Sequence, residues 1–316
     1  MTDLLMVFGG LALLFVGGEA LIKGAVALAR NYGLSSLLVS AVVVGFGTSM
    51  PELTVSVGAA LRGSSDISVG NVLGSNIANI LLIIGVASIM TPLLIERKAV
   101  RRDALVALGS SLILCALALF GQIGFISGLI LFLMVVAYIS WSYVQDSKNG
   151  QETIQHIEED IEGKPELGRL KAALYSLAGL VLLMGGAHVL VEGAVSIARS
   201  FNISEAVIGL TIVAVGTSLP ELVTAIVAAY RRHNDVIIGN ILGSNIFNIL
   251  SILGITAMIT PIQISDKIAA YDIWIMLGVT LLFSIYLLRG WAIRRASGIV
   301  MLAAYTAYTA WLYCGR

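Results

Sequence analysis

Glu52 and Glu221 are carboxylates set inside apolar stretches, and each closes the same short pattern: Gly47-Thr48-Ser49-Met50-Pro51-Glu52 and Gly216-Thr217-Ser218-Leu219-Pro220-Glu221. An ionised carboxylate at the centre of a bilayer costs at least about 2.5–3.5 kcal/mol on insertion scales, so such a residue is a functional candidate by default. Thr48 and Ser49 precede Glu52 by four and three residues, which in a helix gathers their oxygens on one face. The next apolar segment adds Ser75 and Asn79, again four apart. Thr217, Ser218, Ser244 and Asn248 repeat the arrangement around Glu221. The set offers hydroxyl, amide and carboxylate oxygens and neither thiolate nor imidazole. Calcium takes about 6–8 oxygen ligands, whereas softer metals favour sulfur or imidazole. The chemistry indicated is the binding of Na⁺, Ca²⁺ or a similar hard cation.

The prolines add a second kind of oxygen. Pro51 has no N–H, so in a helix the carbonyl of Gly47 loses its partner, and Pro220 does the same for Gly216. A carbonyl freed in lipid must find a cation, a hydroxyl or water. A simple kink is the plainer reading of one proline; two prolines, each followed directly by Glu, weaken it. Gly70, Gly74, Gly239 and Gly243 read as close helix contacts. Asn71, Asn76, Asn240 and Asn245 divide evenly between packing and ligation. Ser75, Asn79, Ser244 and Asn248 are favoured as ligands.

The elements that must hold these groups follow from composition. Of 316 residues 58% are hydrophobic and 12% charged, against roughly 25% charged in soluble domains. The mean hydropathy is +0.95. Ten stretches approach the ~20 apolar residues that a membrane helix needs: 4–29, 36–61, 67–91, 103–121, 123–144, 170–199, 206–230, 236–260, 271–289 and 294–313. Sorting loop Lys and Arg by side gives fourteen against four, so the basic side is expected in the cytoplasm and both termini outside a multi-pass cell-membrane protein. The N-terminus has no basic region of the signal-peptide kind, and the first apolar stretch reads as a retained helix. A zero net charge implies no nucleic-acid partner. Cys115 and Cys314 give neither a disulfide framework nor metal spacing. Neither HExxH nor GxSxG occurs, and His188 has no evident nucleophile beside it, so an enzyme is not indicated.

Shifted by 169 residues the chain matches itself, from Gly24-Ala25-Val26 on Gly193-Ala194-Val195 to Thr91-Pro92 on Thr260-Pro261. With five spans per half, the halves start on opposite sides of the membrane and are expected to be inverted, as in many secondary transporters. The expected organisation is all-α: residues 1–144 as the first five-helix repeat, an acidic cytoplasmic linker at 145–168, and 169–316 as the second. Glu19 and Lys23, four apart, suit a local ion pair. A Lys23–Glu192 pair between the first and sixth helices competes with Lys23 extending to the interface.

The paired blocks GTSMPELTVS with GNVLGSNIANIL, and GTSLPELVTA with GNILGSNIFNIL, resemble the two alpha repeats of the calcium/cation antiporter superfamily, close to the prokaryotic sodium/calcium exchangers, over Leu4 to Tyr313. The resemblance implies ten helices in inverted halves, with the second, third, seventh and eighth surrounding the cation sites. It carries the ligand role to Thr48, Ser49, Glu52, Ser75, Asn79, Thr217, Ser218, Glu221, Ser244 and Asn248, and to the backbone carbonyls of Gly45 and Ala214. It implies that the first and sixth helices slide as a gate. No cofactor is implied; Ca²⁺ and Na⁺ are bound as transported substrates. Some relatives carry Asp where this chain has Asn248, so the site here holds two formal charges, which argues against potassium co-transport. A proton-coupled cation antiporter and a cation channel are the alternatives. Oligomeric state stays open, a monomer being one option.

Overall fold

The computed structural model of the chain describes residues 2–160, 167–201 and 214–314. Its helices are α1 (Thr2–Tyr32), α2 (Ser36–Thr48), α3 (Met50–Leu61), α4 (Ser65–Met90), α5 (Arg97–Ala118), α6 (Phe125–Asp160), α7 (Arg169–Ser200), α8 (Ala214–Thr217), α9 (Leu219–Tyr230), α10 (Asn234–Ile259), α11 (Ile268–Arg289) and α12 (Arg295–Cys314). The only β-structure in sheets among the described residues is a two-residue antiparallel pair, Gln122–Ile123 with Ile262–Gln263, which follows α5 and α10; close to the 169-residue offset its counterpart is the isolated bridge between Leu93 and Ile293. Each of the ten apolar stretches coincides with helix, apart from 206–213, which lie outside the described residues. Among the described residues six helices are long and apolar enough to cross a membrane, and α2 with α3 makes a seventh if that bent pair is one span.

Local chemistry sets the helix ends. Ser35 caps α2 by accepting from the Leu38 N–H at 3.1 Å. The Ser35 N–H in turn donates to Asp146 Oδ2 at 2.6 Å. Asp146 is the first acid of the stretch expected to be a solvated connector; α6 continues as helix to Asp160, and Asp146 ties it to the start of α2. The turns after α3 and α9 share a left-handed residue, Gly63 at φ +75° and Arg232 at φ +61°. The second turn keeps that shape without glycine, at the steric cost of a Cβ in the left-handed region.

Helix α10 forms the centre, with its most apolar stretch wholly buried. Around it the contacts recur in pairs: α6 packs on the C-terminal half of α10, and α12 on the C-terminal half of α4. Both contacts run through glycine, Gly128 against the Gly254 carbonyl and Gly298 against that of Gly85. The largest contact is α1 against α7. It is lined by Gly10, Gly17 and Gly24 on one helix and Gly179, Gly186 and Gly193 on the other, spaced by seven and matched at the 169-residue offset. A Cβ on Gly17 would lie 2.8 Å from the Leu183 nitrogen, and one on Gly186 2.8 Å from that of Leu14. Small residues let helices approach this closely in lipid, where dispersion replaces the hydrophobic drive. Leu4, Leu5, Phe8 and Phe15 on α1, and Leu170, Leu174, Leu177 and Val181 on α7, remain exposed, as suits faces turned to acyl chains.

Glu19 and Lys23 do not pair. Glu19 accepts from Arg231 Nη2 at 2.8 Å, joining α1 to the end of α9. Lys23 lies over the Tyr175 ring at 5.8 Å, and Glu192 meets His188 at 3.4 Å on its own helix. The guanidinium of Arg231 reaches both carboxylate oxygens with its fork, Nε to Oε1 at 3.1 Å and Nη2 to Oε2 at 2.8 Å, which the single ammonium of Lys23 cannot match.

Candidate functional site

The break in each repeated motif falls at its serine. Ser49 has φ −84°, ψ 6° and Ser218 φ −90°, ψ 5°, with proline in the first turn of the helix that follows. The pair α2–α3 bends by 43° there. The break points Thr48 and Ser49 of one motif, and Ser218 of the other, toward the protein centre, and Glu52 and Glu221 begin the next helix inside the bundle. Both carboxylates are 1% exposed. They lie near enough to repel one another, and among the described residues no basic side chain pairs with either.

Hydroxyls from one motif serve the carboxylate of the other. Ser49 Oγ donates to Glu221 Oε1 at 3.2 Å, and Ser218 Oγ donates to Glu52 Oε1 at 3.4 Å. Ser75 lies beside Glu52, and Thr48 beside Glu221. The Gly45 carbonyl accepts from the Ser49 N–H at 3.2 Å, from Ser244 Oγ at 3.2 Å and from Thr48 Oγ1 at 3.4 Å. Each hydroxyl therefore directs its proton onto a carboxylate or carbonyl and keeps lone pairs for a cation.

Of the buried side-chain oxygens that lack a hydrogen-bond partner among the described residues, four belong to the expected ligands. Glu52 Oε2, Glu221 Oε2, Asn79 Oδ1 and Asn248 Oδ1 are all buried and without a hydrogen-bond partner. Buried acceptors left unmatched are uncommon and call for an explanation. These four come from residues expected to ligate, and they form two pairs related by the 169-residue offset. Asn79 and Asn248 each also open a π-helical turn, Asn79–Ile83 and Asn248–Ile252. A third such turn, Ser40–Gly45, ends on Gly45. Wider turns of this kind loosen the regular ladder and occur often at functional sites.

Of the remaining expected residues, Ser75 and Ser244 are buried, Thr217 is half-buried at the end of α8, and Ala214 begins that helix. Gly47 is pressed by the Leu180 side chain and Gly216 by that of Val191, both on α7, so a substituent at either would have to displace that side chain. Pro51 is half-buried and Pro220 buried at the breaks. Gly239 and Gly243 pack against the backbone of Leu37 and Ala41, as expected of close contacts. Among the described residues Gly70 and Gly74 meet nothing in the same way. Asn71 bridges α4 to α3 through the Glu52 carbonyl at 3.1 Å and Ser56 Oγ at 2.9 Å, and Asn240 Oδ1, 3.4 Å from Thr48 Oγ1, is the alternative to the Gly45 carbonyl as acceptor for that hydroxyl's one proton. Sequence reasoning missed two buried aspartates, Asp103, which binds Arg102 at 2.6 Å, and Asp272. They too are 169 residues apart, which was the available signal.

The profile of the family described as "Sodium/calcium exchanger protein" matches residues 2–144 and 171–314. The chain belongs to the sodium/calcium exchanger family. Among its relatives is the "Sodium/calcium exchanger MaX1" of Methanosarcina acetivorans, 30% identical with 99% of each chain covered. Another is the "Inner membrane protein YrbG" of Escherichia coli, 34% identical over 99% of this chain and 96% of that one. Among solved structures, the sodium-calcium exchanger NCX_Mj soaked with Na⁺ and Sr²⁺ superposes with a TM-score of 0.84 at 29% identity, covering 98% of both chains. As a member of this exchanger family, and with its array of apolar helices, the chain is a multi-pass membrane protein.

Proposed function

We propose that this exchanger moves Ca²⁺ against Na⁺ by alternating access at the site formed by Glu52, Glu221 and their neighbours. The observation that carries the reading is the set of four buried acceptor oxygens on the expected ligands, two carboxylate and two amide, with no donor among the described residues. Two carboxylates are neutralised by one Ca²⁺ or by two Na⁺. A buried site left at charge −2 is strongly disfavoured, so the protein changes conformation loaded and exchanges one cation for the other. Thr48, Ser49, Ser75, Thr217, Ser218 and Ser244 supply hydroxyl lone pairs. The Gly45 and Ala214 carbonyls contribute to sodium shells; for Gly45 this requires the Thr48 and Ser244 hydroxyls to turn away from it.

In this reading the chain has ten spans in two inverted five-helix halves, 1–144 and 169–316, with both termini outside. Support comes from the paired helix contacts, the offset-matched turns and the fourteen-to-four asymmetry of loop Lys and Arg. Slippage of α1 and α7 along their glycine seam gates access. Replacing Glu52 or Glu221 with Gln is expected to abolish Ca²⁺ exchange in proteoliposomes, because one neutral amide leaves a single charge to hold a divalent ion. Full exchange in both variants would overturn the assignment.

A further inference from the structure

Asn76 and Asn245 join the two repeats through a reciprocal set of hydrogen bonds. Asn76 Nδ2 donates to the Asn245 carbonyl at 3.3 Å, and Asn245 Nδ2 to the Asn76 carbonyl at 3.3 Å. Each side-chain oxygen then accepts from the other repeat: Asn248 Nδ2 donates to Asn76 Oδ1 at 2.9 Å, and Asn79 Nδ2 to Asn245 Oδ1 at 2.9 Å. All four amides are buried, at 3% exposure or less. The pattern settles which end of each amide points where. Turning the Asn76 amide over would set its oxygen against the Asn245 carbonyl and its nitrogen against Asn248 Nδ2, losing two bonds and creating two repulsions. With the NH₂ groups of Asn79 and Asn248 held in this way, their Oδ1 atoms are turned to the other side, where both are buried and without a partner among the described residues.

We propose that Asn76 and Asn245 are positioning residues that clamp Asn79 and Asn248 with their carbonyl oxygens toward the ion and keep those two positions neutral, disfavouring a carboxylate there. The inference rests on the site reading above. The second half follows from the same bonds. An aspartate at 248 would bring a carboxylate oxygen to the place from which Nδ2 now donates, 2.9 Å from Asn76 Oδ1. Asn76 can accommodate it only by turning over and giving up its bond to Asn245. The clamp thus does more than brace two helices: it selects the chemical type of the ligand beside it, and through that the total charge of the site.

The test is Ca²⁺ binding to the purified full-length chain by calorimetry. Asn76→Ala is expected to weaken binding about tenfold, near the upper worth of one buried hydrogen bond, and to have no further effect in an Asn248→Ala background. In an Asn248→Asp background the sign reverses: removing Asn76 relieves the repulsion and strengthens binding. Asn245→Ala with Asn79→Asp is the symmetry-related set and reports the same behaviour if the first set fails to fold. A purely structural role would make Asn76→Ala weaken binding equally in every background. That result, or no change at all, overturns the proposal. Glu52→Gln serves as the reference. If it leaves Ca²⁺ binding intact, the site reading fails and the clamp with it. If it abolishes binding while the sign reversal is absent, only the clamp fails.

Discussion

The glycine seam between α1 and α7 makes a prediction with its own control. Gly9 and Gly10 are neighbours on α1, and Gly185 and Gly186 on α7. A Cβ at Gly9 or Gly185 meets nothing within 4 Å, whereas one at Gly10 falls 2.7 Å from the Gly186 carbonyl and one at Gly186 2.9 Å from that of Gly10. Non-bonded heavy atoms rest at about 3.5–4.0 Å, so Gly10→Ala forces the helices roughly 1 Å apart locally. Overpacking of this kind costs about 1–3 kcal/mol. Every Gly→Ala change also gains about 1 kcal/mol of helix propensity, and the Gly9→Ala and Gly185→Ala controls measure that gain alone. Thermal unfolding in detergent should therefore rise slightly for the controls and fall for Gly10→Ala and Gly186→Ala. Neither Gly10 nor Gly186 is among the proposed ligands, so Ca²⁺ affinity should hold while the exchange rate drops. If Gly10→Ala matches Gly9→Ala in both melting temperature and exchange rate, the seam is neither tight nor part of the gate.

Two further outcomes follow from charged groups outside the ion site. Asp103 is fully buried against Arg102, whose side chain is 12% exposed. Asp103→Asn removes the nearest countercharge of a largely buried guanidinium, which keeps its bond to the Ser142 carbonyl at 3.4 Å, and should cost about 1–3 kcal/mol, read as a fall in melting temperature. His233 lies in the turn between α9 and α10, where burial, then Arg30 and Arg231, hold its pKa below the usual histidine value. The unfolded chain therefore binds the extra proton first, so stability is lost as pH falls below about 6.5. His233→Gln should reduce the drop in melting temperature between pH 7 and pH 5.

How far the sequence specifies this site depends on where the information lies. Glu52, Glu221, their hydroxyls and Asn79 and Asn248 were legible because polar groups inside apolar stretches stand out, and the repeat marks each twice. The breaks at Ser49 and Ser218 were legible from proline. The roles of Asn76 and Asn245 were not, since their partners are on the opposite repeat and the direction of an amide is decided only by what surrounds it. The same holds for Glu19. Its neighbour Lys23 is obvious in sequence, but the bond goes to Arg231, 212 residues away. The seven-residue glycine spacing was visible in both halves, yet which helix it faces is a property of topology. The π-helical turns at Asn79 and Asn248 leave no trace in propensity, because they are imposed by packing around the site.

The central claim is that Na⁺ drives Ca²⁺ across the membrane through one shared site. Ca²⁺ uptake into proteoliposomes of the full chain, with an outward Na⁺ gradient and pH clamped equal on both sides, tests it directly. The account predicts uptake that depends on internal Na⁺ and stops in Glu52→Gln and Glu221→Gln. Uptake driven by a pH gradient in the absence of Na⁺, or Ca²⁺ conductance independent of any counter-ion, would contradict it.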